Sequence, residues 1–171
     1  MDKIILGLLI IESCTVYEMK TKIEQNMNRM YSGSFGSIQT AVKKLLDQGF
    51  IEFSETVEKG KYKKIYSVTD SGEEEFGKWI NTPMRPAQGK NQELARLYFM
   101  GLSDRRTRRD RIESYLAALW KEYFAIKARC GSASENADDG VSRFMNLSDK
   151  YVMDSLAFEI EWYEGLLADI E

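Results

Sequence analysis

Histidine is absent from these 171 residues, and cysteine and proline occur twice each. The absence of histidine removes the side chain that most often serves as a general base near neutral pH and as a metal ligand. Cys14 and Cys130 stand far apart. Two lone thiols do not make a zinc site, and they are not the framework of a disulfide-stapled secreted domain. A reducing, cytoplasmic setting is expected. Long apolar runs are missing too. The run at residues 4–11 of "MDKIILGLLIIESC" holds eight residues, far short of the ~20 that span a bilayer. Glu12 lies just before Ser13-Cys14, where an export cleavage site takes small uncharged residues, and Asp2 weakens the basic start that such a signal needs. The run is read as a buried first helix, and no membrane association is expected.

Catalytic motifs are equally scarce. "SGSFGS" lacks the lysine of a phosphate-binding loop and the full dinucleotide pattern. No carboxylate pair stands out at helical spacing in an apolar setting. An enzyme is not expected, and no catalytic residue, metal ligand or cofactor is assigned.

What is present is a balanced composition, 43% hydrophobic and 30% charged, which suits a chain that buries a core. Ile4, Ile5, Leu8 and Leu9 begin a short helix. Thr15 and Glu18 are spaced as a capping box before "VYEMKTKIEQNM". After "YSGS", a third helix starts near Ser34 or Gly36, with Ile38, Val42, Leu45 and Leu46 on one stripe and Gly49 as its stop. Two alternating strands follow, with Ile51, Phe53 and Val57 on one side of the first and Tyr62, Tyr66 and Val68 on one side of the second. Gly60 marks the turn between them. Thr69 or Asp70 caps a fourth helix with Phe76, Trp79 and Ile80 at its apolar edge. Both prolines fall in "NTPMRPAQGKN", read as a linker, and the rest of the chain reads as helical.

The fold class is therefore mainly α with a small β-hairpin. Three short helices and a hairpin, in that order, make a winged helix-turn-helix, in which the third helix enters the major groove of DNA and the hairpin lies beside it. The hairpin tip carries Lys59, Lys61, Lys63 and Lys64. The chain as a whole is acidic, at net charge −3, yet residues 29–64 hold seven basic residues against four acidic ones. A local basic footprint of this kind fits phosphate contacts; a soluble hairpin tip would be lysine-rich as well. The expected contacts are Ser34, Phe35, Gly36, Ser37, Gln39, Thr40, Lys43 and Lys44 from the third helix and the four tip lysines. Winged helices also bind proteins, so a protein–protein module is the alternative.

The last helix is apolar on more than one face. Val152, Leu156, Ile160, Tyr163, Leu167 and Ile170 form one stripe, and Tyr151, Phe158, Trp162 and Leu166 lie on another. One long neighbouring helix is available to cover these faces, and the remaining cover calls for a second copy of the chain, so Tyr151, Val152, Leu156, Phe158, Ile160, Trp162, Tyr163, Leu166 and Leu167 are the expected dimer interface. The arginines of "SDRRTRRDR" are read as paired with neighbouring acids.

In order, "ILGLLIIESCTVYEMKTKI", "SGSFGSIQTAVKKLLDQGFIE", "KGKYKKIYSVTDSG" and "FGKWI" resemble the PadR family of bacterial transcriptional regulators. "LARLYFMGL" and the long terminal helix resemble the C-terminal region of its virulence-activator-like branch. The resemblance implies a DNA-binding domain over 1–82, a linker over 83–91 and a helical dimerisation, and possible effector-sensing, domain over 92–171. It implies a cytoplasmic homodimer on a palindromic operator of double-stranded DNA, usually a repressor. It places Ser34–Ser37 at the start of the recognition helix, Lys61, Lys63 and Lys64 on the wing, and Tyr17 among the family's contact positions. Trp120, Phe124 and Trp162 read first as core, as aromatic stripes at helical spacing usually are; the resemblance adds the second reading of a pocket for an aromatic or hydrophobic effector. Two departures matter. Thr15-Val16 stands where the family commonly has His-Gly, and Gln39 stands where it commonly has tyrosine. Glutamine can pair with adenine through two hydrogen bonds, so a different operator is expected.

Overall fold

A computed structural model of the chain describes residues 1–27, 29–58, 60–84, 91–130 and 140–170; the side chains of Glu58, Lys61 and Cys130 lie outside that description. Two compact units result, Met1–Ala87 and Gln88–Glu171. Most of the expected linker falls outside the described residues.

The first unit begins with α1 (Asp2–Ile11), α2 (Val16–Asn26) and α3 (Phe35–Asp47). Their stripes meet in one core, in which Ile5, Leu6, Met19, Ile23, Ile38 and Leu45 are fully buried. Each such side chain contributes ~1.5–3 kcal/mol by leaving water. The capping box at α2 is complete: Thr15 Oγ1 accepts from the Glu18 amide at 3.2 Å, and the Thr15 amide donates to Glu18 Oε2 at 2.8 Å. At the far end of α3, Gly49 takes φ +71. That left-handed residue lets the Gly49 and Phe50 amides turn back to the Leu46 and Leu45 carbonyls at 2.9 and 3.0 Å, which closes the helix and sends the chain into the hairpin.

Strands β1 (Ile51–Glu58) and β2 (Lys61–Val68) pair antiparallel from Ile51↔Val68 to Glu58↔Lys61. Gly60, directly before β2, takes φ +76. Cys14 bridges to Tyr66 on the other edge of β2, which ties the segment between α1 and α2 to the hairpin. The alternation of β1 is as expected, but its apolar side is only partly covered. Ile51 is buried, whereas Phe53 and Val57 are exposed, because the hairpin runs past the edge of the helical core. Helix α4 (Asp70–Ile80) starts at Thr69, whose hydroxyl also donates to the Gly49 carbonyl at 2.8 Å.

The second unit holds α5 (Gln92–Phe99), a 3-10 turn (Met100–Leu102), α6 (Arg105–Cys130) and α7 (Gly140–Asp169). Tyr115 meets Glu159 and Tyr163, while Arg129 meets Asp149, so α6 and α7 run antiparallel. Ile112, Leu116, Leu119 and Ile126 of α6 pack on Val152, Leu156, Ile160 and Tyr163 of α7. These four α7 residues were expected at a dimer interface. They are already covered by α6 of the same chain, because a helix as long as α6 is enough to seal the whole stripe. Leu166 and Leu167 are half-buried against that cluster as well. The side left open carries Tyr151, Phe158 and Trp162, which are exposed.

Candidate nucleic-acid interface

Helix α3 presents two unlike faces. Ile38, Ala41, Val42 and Leu45 face the core. Phe35, Gly36, Ser37, Gln39, Thr40, Lys43 and Lys44 are exposed. The α3 N-terminus is built from short side chains: Ser34 Oγ accepts from the Ser37 amide at 3.2 Å, and Ser37 Oγ donates to the Ser34 carbonyl at 2.8 Å. Thr40 Oγ1 donates to the Gly36 carbonyl at 2.8 Å. No acidic residue lies in the first turn, and a Cβ on Gly36 would meet nothing within 4 Å. A helix start of this kind, open to solvent and free of acids, suits the approach of an anionic partner.

Tyr17 stands in the first turn of α2 at 71% exposure. Glu18 beside it is held ionised below the ordinary carboxylate range, chiefly by the Thr15 amide and then by the Thr15 hydroxyl, with a smaller contribution from the charge of Lys63 on β2. On the hairpin, Lys64 Nζ lies 4.0 Å from the centre of the Phe53 ring and 3.5 Å from Glu55. Lys64 thus packs over Phe53, its diagonal neighbour across the strands. Tyr62 is exposed at 84% beside the turn. Lys59 lies outside the described residues. For Lys61 only the backbone pairing is described.

Sequence reasoning missed Asp2. Its Oδ2 accepts from Lys44 Nζ at 2.6 Å, and that bond is the main cause holding the Asp2 carboxyl below its usual range. No periodicity or motif links positions so far apart in the chain.

In the second unit, Trp120 stacks on Phe124 with ring centres 5.4 Å apart and 22° between planes. Trp120 Nε1 donates to Glu164 Oε1 at 3.2 Å. Trp162 makes its edge-on contact with Tyr163 instead, so the ring contacts join only two of the three expected pocket residues. Arg109 pairs with Glu113 at 2.9 Å, as read from the spacing. Among the described residues no helix is long and apolar enough to cross a membrane.

Residues 5–78 match the family described as "Transcriptional regulator PadR-like family". The chain is 30% identical over 115 residues to the negative transcriptional regulator PadR of Bacillus subtilis (strain 168). That match covers 66% of this chain and 63% of the relative, just under two thirds of its length. Among solved structures, Bacillus subtilis PadR in complex with operator DNA superposes with TM-score 0.87 at 22% identity, covering 99% of this chain and 98% of the other. The same regulator in complex with p-coumaric acid gives 0.77 at 21%, covering 99% and 97%. The Vibrio cholerae virulence activator AphA gives 0.76 at 17%, covering 99% and 96%. At these identities the structural likeness establishes the fold: a winged helix followed by a helical C-terminal region.

Proposed function

Residues 5–78 of this chain are a domain of the PadR-like family of transcriptional regulators, and from that premise we propose that the protein is a sequence-specific, DNA-binding repressor. The observation that carries the reading is the outward face of α3. It sets Ser37, Gln39, Thr40 and Lys43 together on the side opposite the buried Ile38, Val42 and Leu45. An α-helix fits the major groove and reads base edges with such side chains. The hairpin lysines hold the phosphate backbone and position the helix without reading sequence. Ser34, Phe35, Gly36 and Tyr17 flank the contact. In this reading 1–82 bind DNA, 83–91 link, and 92–171 dimerise.

The second unit serves as the dimerisation part through the exposed Tyr151, Phe158 and Trp162. Two subunits then meet a palindromic operator of double-stranded DNA. A relative binds p-coumaric acid. The stacked Trp120–Phe124 pair supports an aromatic or hydrophobic effector here, whose binding releases the DNA. The protein works in the cytoplasm and is not a catalyst.

Salt separates this reading from a protein–protein module. Binding through lysine–phosphate contacts weakens steeply as salt rises, by ~0.9 in log K per log salt for each contact. An apolar protein interface does not behave this way. A titration of the full chain on duplex DNA is expected to show a steep slope, and Lys61→Ala with Lys63→Ala to flatten it for every sequence alike. Binding that ignores salt would favour the protein module.

A further inference from the structure

Two adjacent lysines of α3 differ in what they offer an anion. Lys43 is exposed and faces outward with Thr40 and Gly36. Lys44 Nζ donates to Asp2 Oδ2 at 2.6 Å, from 42 positions away. Asp2 lies in the first turn of α1, where the free amides of the helix start favour negative charge. An exposed ion pair of this kind contributes little to fold stability. Its larger effect is on the charge of the surface, because Lys44, hydrogen-bonded to Asp2 at 2.6 Å rather than loosely paired as Lys64 is with Glu55 at 3.5 Å, offers an arriving phosphate a neutral pair instead of a bare cation.

We propose that Asp2 is a positioning residue that withholds Lys44 from DNA, so that each subunit makes one phosphate contact fewer than its lysines allow. The inference rests on the DNA-binding reading above. It gives the ion pair a use. Phosphate contacts carry no sequence information, so a withheld lysine lowers the affinity for every duplex alike, together with the steepness of its salt dependence.

The test is a four-way comparison by salt titration on one duplex: the unaltered chain, Asp2→Asn, Lys44→Ala, and both changes together. Lys44→Ala is expected to keep the slope of the unaltered chain, because that lysine makes no contact to lose. Asp2→Asn frees Lys44 and should steepen the slope by ~0.9 per subunit, with tighter binding to random-sequence duplex. The double variant should return to the original slope at the original net charge. A flatter slope for Lys44→Ala would mean that Lys44 already touches phosphate, and the proposal would be wrong. An unchanged slope for Asp2→Asn, with its thermal melt unaltered, would also overturn it. If Asp2→Asn fails to fold, Asp2→Ser, which keeps a helix-capping side chain without the charge, takes its place, and a flatter Lys44→Ala slope still overturns the proposal. A chain that binds no duplex at low salt defeats the DNA-binding reading itself, whereas salt-dependent binding with a flatter Lys44→Ala slope defeats only this inference.

Discussion

Gly72 approaches Phe50 so closely that a Cβ on it would lie 2.0 Å from the Phe50 carbonyl oxygen and 2.8 Å from Val68 Cγ2. Backbone meets backbone there, and no flexible side chain can give way. The contact seats α4 on the junction between α3 and the hairpin, where the Thr69 amide also donates to the Phe50 carbonyl at 3.1 Å. Overpacking commonly costs ~1–3 kcal/mol. Gly72→Ala is therefore expected at the upper end of that range, seen as a lowered urea midpoint by circular dichroism. Gly77→Ala is the control, since a Cβ there meets nothing within 4 Å. Equal midpoints for the two variants would contradict the close contact.

Thr15 and Glu18 cap α2 reciprocally. Thr15→Ala is expected to cost ~1 kcal/mol, the usual value of such a cap. Glu18 adds a pH dependence. Its folded carboxyl is held below the ordinary range, first by the Thr15 amide, so the unfolded chain takes up the proton more readily. The stability from this bond is whole above the ordinary carboxylate value. It is lost as pH falls through the lowered folded one. Glu18→Gln should shrink the loss of stability between neutral pH and about pH 3. The same acid loss in the variant and the unaltered chain would assign the effect to other carboxylates.

Gln39 is the exposed α3 side chain best suited to reading a base. If it pairs with adenine through both amide atoms, Gln39→Ala removes ~1–3 kcal/mol of discrimination at one operator position and leaves the others unchanged. Competition binding with single-base operator variants measures this directly. An unaltered preference at every position would take Gln39 out of the readout.

Phe158 and Trp162 lie one turn apart on α7 and are both exposed, at 68% and 45%. Large apolar groups grouped in this way mark a surface that another molecule covers. The full chain is expected to sediment as a dimer at micromolar concentration. Phe158→Glu should give a monomer of unchanged helix content. A dimer that survives the change would move the interface elsewhere.

Local features were legible in the sequence. Thr15 with Glu18, Gly49 and Gly60 each act over a few residues, so spacing alone revealed them. Alternation along β1 told which side is apolar, but not how far the core reaches, so Phe53 and Val57 look alike with Ile51 in sequence and differ in burial. The two apolar faces of α7 and the one long helix available to cover them were legible, while which face α6 seals, the stripe of Val152, Leu156, Ile160 and Tyr163, emerged only from packing. Gly72 against Phe50, Cys14 beside Tyr66 and Asp2 with Lys44 join segments distant along the chain, and no periodicity encodes such meetings. Asp2–Lys44 bears most on function, since it alters the charge of the proposed DNA-binding face.

Selection from a pool of random duplexes by the full chain is the most direct measurement. The account predicts enrichment of one site with two-fold symmetry, bound by α3 from each of two subunits, whose affinity falls steeply as salt rises. Retention of duplexes without any enriched sequence would leave only a basic surface. Retention of none, at low salt and with the chain folded, would contradict the central claim.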